Sequence, residues 1–225
     1  NRGTQTESIH KVYAIVINEN KEPIFSSGPQ NYTTCFRSSF KPFQASAAIY
    51  AGATRAAQYS SKEIALMCAS HNGENIHVQT AKKMAEKLGI SINNYECGSH
   101  PPFHKSDREK IRKDKRIFTA FHNNCSGKHS GMLALAKHLQ VHLKNYTKQN
   151  HPVQKAIFHQ LARLTGIDKF HISTDGCSAP TPFLSIKEIA KLFQTLGLEK
   201  FKELTTIYEA MAAHPYLVAG KDRFD

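Results

Sequence analysis

The stretch Arg37-Ser-Ser-Phe-Lys-Pro-Phe-Gln-Ala-Ser-Ala-Ala-Ile-Tyr-Ala-Gly-Ala-Thr-Arg-Ala-Ala57 decides how the chain is read. From Pro42 onward it is small and apolar, with Ala45, Ala47, Ala48, Ala51 and Ala53 recurring. Proline in a first helical turn costs nothing, because no N–H is needed there. Small residues then let a helix approach its neighbours closely, so the segment is expected to be a buried helix over about 42–57. Just upstream, Ser38 and Lys41 stand three apart, and on a helix residues at that spacing share a face. A serine hydroxyl becomes a strong nucleophile only when a base takes its proton. Lysine is that base only where burial or nearby positive charge keeps it neutral, and the positive end of a helix N-terminus pushes the same way. The residue before a proline avoids the α region, so the turn from Ser38 to Lys41 is expected to be irregular.

Working outward, Val12-Tyr-Ala-Ile-Val-Ile17 is a continuous β-favouring run. The turn Glu19-Asn-Lys21 leads from it into Pro23-Ile-Phe25, which reads as an opening hairpin. The segment Glu63-Ile-Ala-Leu-Met-Cys-Ala69 reads as a short buried strand. It ends in the polar elbow Ser70-His-Asn-Gly-Glu74, which would place Ser70 at the edge of a sheet. A helix follows, with Val78, Ala81, Met84, Ala85 and Leu88 on one face and Gly89 at its end. Residues 97–103 form a Gly/Pro loop and 105–116 a charged surface run. Further helices are expected at about 130–144, 152–164, 185–196 and 199–212. The last clear strand, Phe170-His-Ile-Ser173, runs into the turn Thr174-Asp-Gly-Cys177. Interspersed strands and helices without repeats or a low-complexity linker argue for an α/β or α+β fold about one sheet. At about 150 residues per domain, 225 residues make one large domain or two small ones.

Composition narrows the function classes. Apolar residues make up 40%, charged residues 21%, and the mean hydropathy is -0.46, inside the globular range. No apolar run approaches the roughly 18 residues a membrane helix needs, and the first residues lack the apolar core of an export signal. Five cysteines (Cys35, Cys68, Cys97, Cys125, Cys177) form no Cys-x-x-Cys pair. Their odd number suits a reduced, cytoplasmic protein better than a disulfide framework. The net charge of +12, with no acidic residue between Asp114 and Asp168, raises nucleic acid as a partner. Most of those basic residues fall opposite apolar positions at helical spacing, as a solvated face does. The run at 105–116 also lacks the interleaved aromatics on which bases stack, so neither nucleic acid nor membrane is expected as a partner.

Two further constellations could carry chemistry. Ser70-His71-Asn72 follows Ser38-x-x-Lys41 in the chain order seen in penicillin-binding proteins and class A β-lactamases, which pair Ser-x-x-Lys with Ser-Asp-Asn. The third element of that set, Lys-Thr-Gly, is absent. His122-Asn-Asn-Cys-Ser-Gly-Lys-His-Ser-Gly131 gathers two histidines, a cysteine and a lysine. It is not a phosphate loop, because the first glycine of that motif would fall on His122. Zinc takes three or four soft or borderline ligands, so chemistry alone selects His122, Cys125, His129 and the distant Cys177.

Taken together, Arg37-Ser-Ser-Phe-Lys-Pro-Phe-Gln44, Cys68-Ala-Ser-His-Asn-Gly-Glu74, His122-Asn-Asn-Cys-Ser-Gly-Lys-His-Ser-Gly-Met132 and Thr174-Asp-Gly-Cys-Ser-Ala-Pro-Thr-Pro-Phe183 resemble the asparaginase II family, the rhizobial-type or class 3 L-asparaginases. The resemblance runs in unbroken order from about Val12. It implies a single catalytic domain over 1–225 with a fold similar to serine β-lactamases and glutaminases, an antiparallel sheet flanked by helices, usually as a homodimer. It implies hydrolysis of the side-chain amide of L-asparagine to L-aspartate and ammonia. The family's Ser-Lys pair falls on Ser38 and Lys41, and its second active-site serine on Ser70. Its zinc site falls on Cys125, Lys128 and Cys177, where the lysine must be neutral because an ammonium has no lone pair to give. Its active-site aspartate, which holds the substrate amine, matches Asp175, and Arg37 and His129 match neighbouring substrate-binding positions. Family members continue beyond this chain and supply there a second lysine, the partner of Ser70. The resemblance therefore implies a domain incomplete at its C-terminus and of little activity as it stands. The alternative from another class is a catalytically inactive, zinc-stabilised binding protein or a basic nucleic-acid binder.

Overall fold

The computed structural model describes residues 3–198 and 200–223. The opening run forms the expected hairpin, in which β1 (Ala14–Ile17) pairs antiparallel with β2 (Pro23–Ser27). The turn between them is held by Asn18, whose Oδ1 accepts the N–H groups of Asn20 at 3.0 Å and Glu22 at 2.9 Å. Short side-chain amides favour turns in this way. After β3 (Thr33–Cys35) and a single 3₁₀ turn at Arg37–Phe40, the small-residue stretch becomes α1 (Lys41–Tyr50) and α2 (Ala53–Ala56). The two are separated at Gly52, whose φ of 84° is costly for any residue with a Cβ. Lys41 itself is regular, with φ -57° and ψ -41°. The expected irregularity before Pro42 falls instead on Arg37, at φ 49°. The fully buried Phe40 and Phe43 on either side of Lys41 and Pro42 hold this turn in the helix.

The segment expected as a buried strand at 63–69 is helical: α3 spans Ser61–Cys68. A short apolar run of this kind cannot be assigned by periodicity alone. The cap decides it. Glu63 Oε2 accepts the Ser60 N–H at 2.6 Å and the Ser60 hydroxyl at 2.9 Å, and the Ser-x-x-Glu spacing is that of a capping box. The run is apolar on all sides because α3 packs among α1, α6 (Ser126–His138) and α9 (Lys202–Ala213) as well as α4 (Asn75–Leu88). Ser70 therefore follows a helix, not a strand at a sheet edge.

The charged run forms α5 (Lys105–Lys113), with Ile111 its only buried residue. The chain continues through α6 (Ser126–His138), α7 (Pro152–Thr165), β4 (His171–Thr174), β5 (Pro180–Ser185), α8 (Ile186–Leu196), α9 (Lys202–Ala213) and α10 (Pro215–Val218). Residue 199, where the last helix was expected to begin, lies outside the described residues. Helix α6 starts four residues earlier than the polarity of its first turn suggests. Residues 126–136 are buried on every face, against α1, α2, α3 and α4, so this helix is the centre of the core. Gly127 lets it sit there, since a Cβ at that position would lie 2.0 Å from the Leu66 carbonyl oxygen of α3.

Instead of one sheet, the described residues form two small ones: the β1–β2 hairpin and a three-stranded antiparallel sheet in the order β3-β5-β4. The fold is α+β. Strand β5 was not expected, because Pro180 and Pro182 argue against a central strand. Its register explains the tolerance. The Pro182 carbonyl accepts Phe36 N–H at 2.9 Å, so the side of β5 that lacks the N–H faces the chain just past the end of β3, outside that ladder. Among the described residues no helix is long and apolar enough to cross a membrane.

Candidate active site

The first turn of α1 delivers Lys41 into the interior with no exposed surface. Its Nζ donates to the Ala69 carbonyl at 2.6 Å and to the Asn124 carbonyl at 3.2 Å, and lies 2.8 Å from Ser70 Oγ. Burial pulls the Lys41 pKa below its ordinary value, and the charge of Lys128 adds to this against the opposing pull of Cys125. Among the described residues Ser70 thus has a lysine hydrogen-bond partner, Lys41. Lys41 makes no side-chain hydrogen bond among the described residues with Ser38, the serine that spacing paired with it. The two serines meet in another way, because both line a cavity of about 480 Å³ together with Asn124, Phe103 and Phe193.

The loop carrying Ser70 is fixed at both ends of its backbone. Ser70 N–H donates to Val218 O at 3.1 Å and Asn72 N–H to Ala219 O at 2.8 Å. His71 is buried behind the serine, with Nδ1 accepting Gly73 N–H at 3.1 Å and Nε2 2.9 Å from Ser126 Oγ. Its ring stacks on His77 at 4.8 Å, and His77 in turn stacks on Tyr216. Burial holds both histidines below their ordinary pKa of 6.5, so the folded chain keeps them neutral. The unfolded chain protonates them as pH falls through about 6.5 and the folded chain does not. Stability is therefore full above neutrality and is lost toward acid. Urea midpoints measured at about pH 7.5 and about pH 5.5 should fall on acidification, each such proton costing about 1.4 kcal/mol per pH unit. A midpoint that is flat or rises would exclude neutral burial of the pair.

Behind Lys41 lies a second group of side chains. Cys125 and Cys177 lie close enough for each thiol to shift the other's titration, and Lys128 Nζ lies 2.8 Å from Cys177 Sγ. All three residues are 4% exposed. The interaction with Cys177 holds the Cys125 thiol down at about 5, with Lys128 and Lys41 helping against burial. The same interaction, together with burial, raises Cys177. Burial pulls Lys128 down, but the charges on Cys125 and Cys177 outweigh it and raise the amine. Two sulfurs, one of them a thiolate at neutral pH, and one nitrogen converge here, a donor set that fits zinc. The all-cysteine-and-histidine set does not assemble. Among the described residues no three of His122, Cys125, His129 and Cys177 bring ligand atoms within 4.8 Å of one another. His122 is turned to Thr119, whose N–H and Oγ1 lie 3.0 and 2.9 Å from its Nδ1.

Asp175 borders the sulfur cluster, with Cys177 Sγ 3.9 Å from its Oδ2, and its Oδ1 faces Arg37 Nη2 at 3.5 Å. Arg37 is the strained residue immediately before Ser38, and most of its side chain is exposed. His129 is fully buried on α6 and does not line the cavity. Glu74, His104 and Asp107 form a separate group with ligand atoms within 4.8 Å. Glu74 already accepts hydrogen bonds from Tyr216, Lys221 N–H and Asn72, and Asp107 is bound to His104 at 2.6 Å. The described structure thus brings Ser70 and Ser38 to one cavity, with Lys41 buried and bonded to Ser70, and gathers Lys128, Cys177 and Asp175 into a second group. A sequence model of the family described as L-asparaginase II matches residues 1–225, the whole chain. The chain belongs to the asparaginase II family. No curated protein matches it. Membership makes this a chain of an amidohydrolase family, and the serine, lysine and cysteine positions named above fall inside the matched span. Sequence reasoning missed two groups in contact with these candidate residues: the Asn124 carbonyl, a backbone group with no sequence signature, and Tyr146, which bonds His129.

Proposed function

We propose that the chain hydrolyses the side-chain amide of L-asparagine by serine–lysine chemistry. The observation that carries this reading is the buried Lys41 amine bonded to a serine on the cavity wall. Two carbonyls, Ala69 and Asn124, occupy two N–H groups of Lys41, so in a neutral amine the lone pair is left for the proton of Ser70. Ser70 Oγ then attacks the amide carbon, the tetrahedral intermediate expels ammonia with the proton returned by Lys41, and water releases L-aspartate from the resulting ester. Ser38, which the resemblance makes the attacking serine, lines the same cavity, and the two assignments separate experimentally. Asp175 and Arg37 offer the opposite charges that the ammonium and carboxylate of an α-amino acid require.

Cys125, Lys128 and Cys177 would hold zinc, with Lys128 giving up its proton to do so. When bound, zinc supplies a fixed positive charge beside Asp175 that orders the substrate end of the site. The reading extends to a homodimer in a reducing, cytoplasmic setting, in keeping with five free cysteines.

The test is ammonia release from L-asparagine by the purified chain, with metal content measured in parallel. About one zinc per chain is expected, and loss of most of it in Cys125→Ser and Cys177→Ser. Full zinc in both variants removes the metal site from the reading, and a folded chain that releases no ammonia from L-asparagine removes the reaction.

A further inference from the structure

The cavity shared by Ser70 and Ser38 is larger and less polar than asparagine alone requires. Its volume of about 480 Å³ falls within the range of roughly 300–1,000 Å³ over which pockets bury drug-sized ligands. Asparagine is small and polar at both ends. Beside the serines the wall is apolar, formed by Pro42, Phe103, Phe193, Met211 and Val218. Phe103 is 47% and Phe193 41% exposed, so neither ring is used up by the core. Both are nonetheless held. The Phe193 ring meets Phe36 and Phe43 edge-on, with centroids 6.2 and 5.5 Å away. Phe103 N–H donates to the Asn72 carbonyl at 2.8 Å, which ties it to the Ser70 loop. Among the described residues the one charged side chain lining the cavity is Arg223, whose Nη1 donates to Asn72 Oδ1 at 3.4 Å. A guanidinium plane stacks readily on an aromatic ring.

The charged end of the substrate is provided for elsewhere. Asp175 and Arg37, which offer charges to an α-amino acid, do not line this cavity. With that end at Asp175 and Arg37 and the amide carbon at Ser70 Oγ, what extends along the apolar wall is whatever the amide nitrogen carries. A bare NH₂ group leaves both phenylalanines in water, whereas an aromatic substituent removes apolar surface of both partners from it.

We propose that the site also hydrolyses side-chain amides of L-aspartate whose nitrogen carries an aromatic group, with Phe103, Phe193 and Arg223 forming the pocket for that group. The reaction rests on the serine–lysine reading above, whereas the pocket does not. Ser70 Oγ bonds to the amide carbon as its proton passes to Lys41. The carbon–nitrogen bond then breaks as Lys41 returns that proton to nitrogen, and the amine bearing the ring leaves in place of ammonia. Water adds to the ester, releases L-aspartate and restores the serine hydroxyl.

Binding and turnover are measured separately. Calorimetry on Ser70→Ala compares L-asparagine with L-asparagine benzylated on its side-chain nitrogen. Burying the ring should tighten binding by about 10- to 100-fold. Adding Phe193→Ala or Phe103→Ala, with folding checked by circular dichroism, should cut that advantage by about tenfold. Wild-type chain should then release benzylamine, followed by chromatography, from the benzyl amide. A benzyl amide that binds no tighter than L-asparagine overturns the proposal, as does an advantage that survives both phenylalanine variants. Hydrolysis of L-asparagine but not of the bound benzyl amide overturns it as well. Tighter binding of the benzyl amide with no amine released from either compound defeats the serine–lysine reading instead and upholds the aromatic pocket.

Discussion

Replacing Lys41 is expected to lower kcat on L-asparagine by a factor on the order of 10³ or more, the usual loss when one member of a catalytic unit is removed. The amine is wholly buried and bonded to Ser70, and no other lysine is bonded to either serine among the described hydrogen bonds. Lys41→Met nearly preserves the side-chain volume and separates lost chemistry from lost packing, whereas Lys41→Ala also opens a void. Ser70→Ala should cost about as much as Lys41→Met if Ser70 attacks, with Ser38→Ala milder. The reverse order would hand the attack to Ser38. Burial lowers the Lys41 pKa, and the base form is the neutral amine, so kcat should rise as pH increases through that lowered value. Lys41→Met should flatten that limb. Retention of most of the wild-type kcat by Lys41→Met would end the serine–lysine reading.

Gly127→Ala is expected to be the most destabilising glycine-to-alanine change among the described residues, by about 3 kcal/mol or more, or to prevent folding. The added carbon would meet the Leu66 carbonyl oxygen at 2.0 Å and carbon at 2.5 Å, both backbone atoms of α3 that cannot turn aside. Gly131→Ala, one turn later, supplies the control. Its new carbon meets the end of the Met67 side chain at 2.6 Å, and a flexible thioether can move. Urea denaturation should therefore rank Gly127→Ala well below Gly131→Ala. Equal midpoints would mean that α3 and α6 do not cross this closely.

Much of this was legible in the sequence where pattern and chemistry agreed. The hairpin, α4 ending at Gly89, and α7 opening with Pro152 all carry signals that act over a few residues. α3 was misread because a helix buried on every side has no polar face. Its capping box, Ser60 with Glu63, was the available signal. The start of α6 was missed for the opposite reason: Ser126, Lys128, His129 and Ser130 are polar yet buried, since they serve the site rather than solvent. β5 was hidden by prolines whose harmlessness depends on where β3 stops, a tertiary fact. At the candidate site, motif resemblance named Ser38, Lys41 and Ser70. Their pairing was not legible: spacing joined Lys41 to Ser38, while the fold brings Ser70 to its amine from 29 positions away.

The backbone bonds between the Ser70 loop and residues 218–221 bear on how the protein is made. Asn72 contacts Lys221 across a separation of 149 residues, so this pairing closes one of the longest loops in the chain and carries the entropic cost of doing so. On the ribosome, Ser70 emerges long before the strip of chain that fixes it. A nascent chain can assemble α1, α3 and α4 while Ser70 still lacks two of its backbone anchors, which arrive only when 218–221 docks.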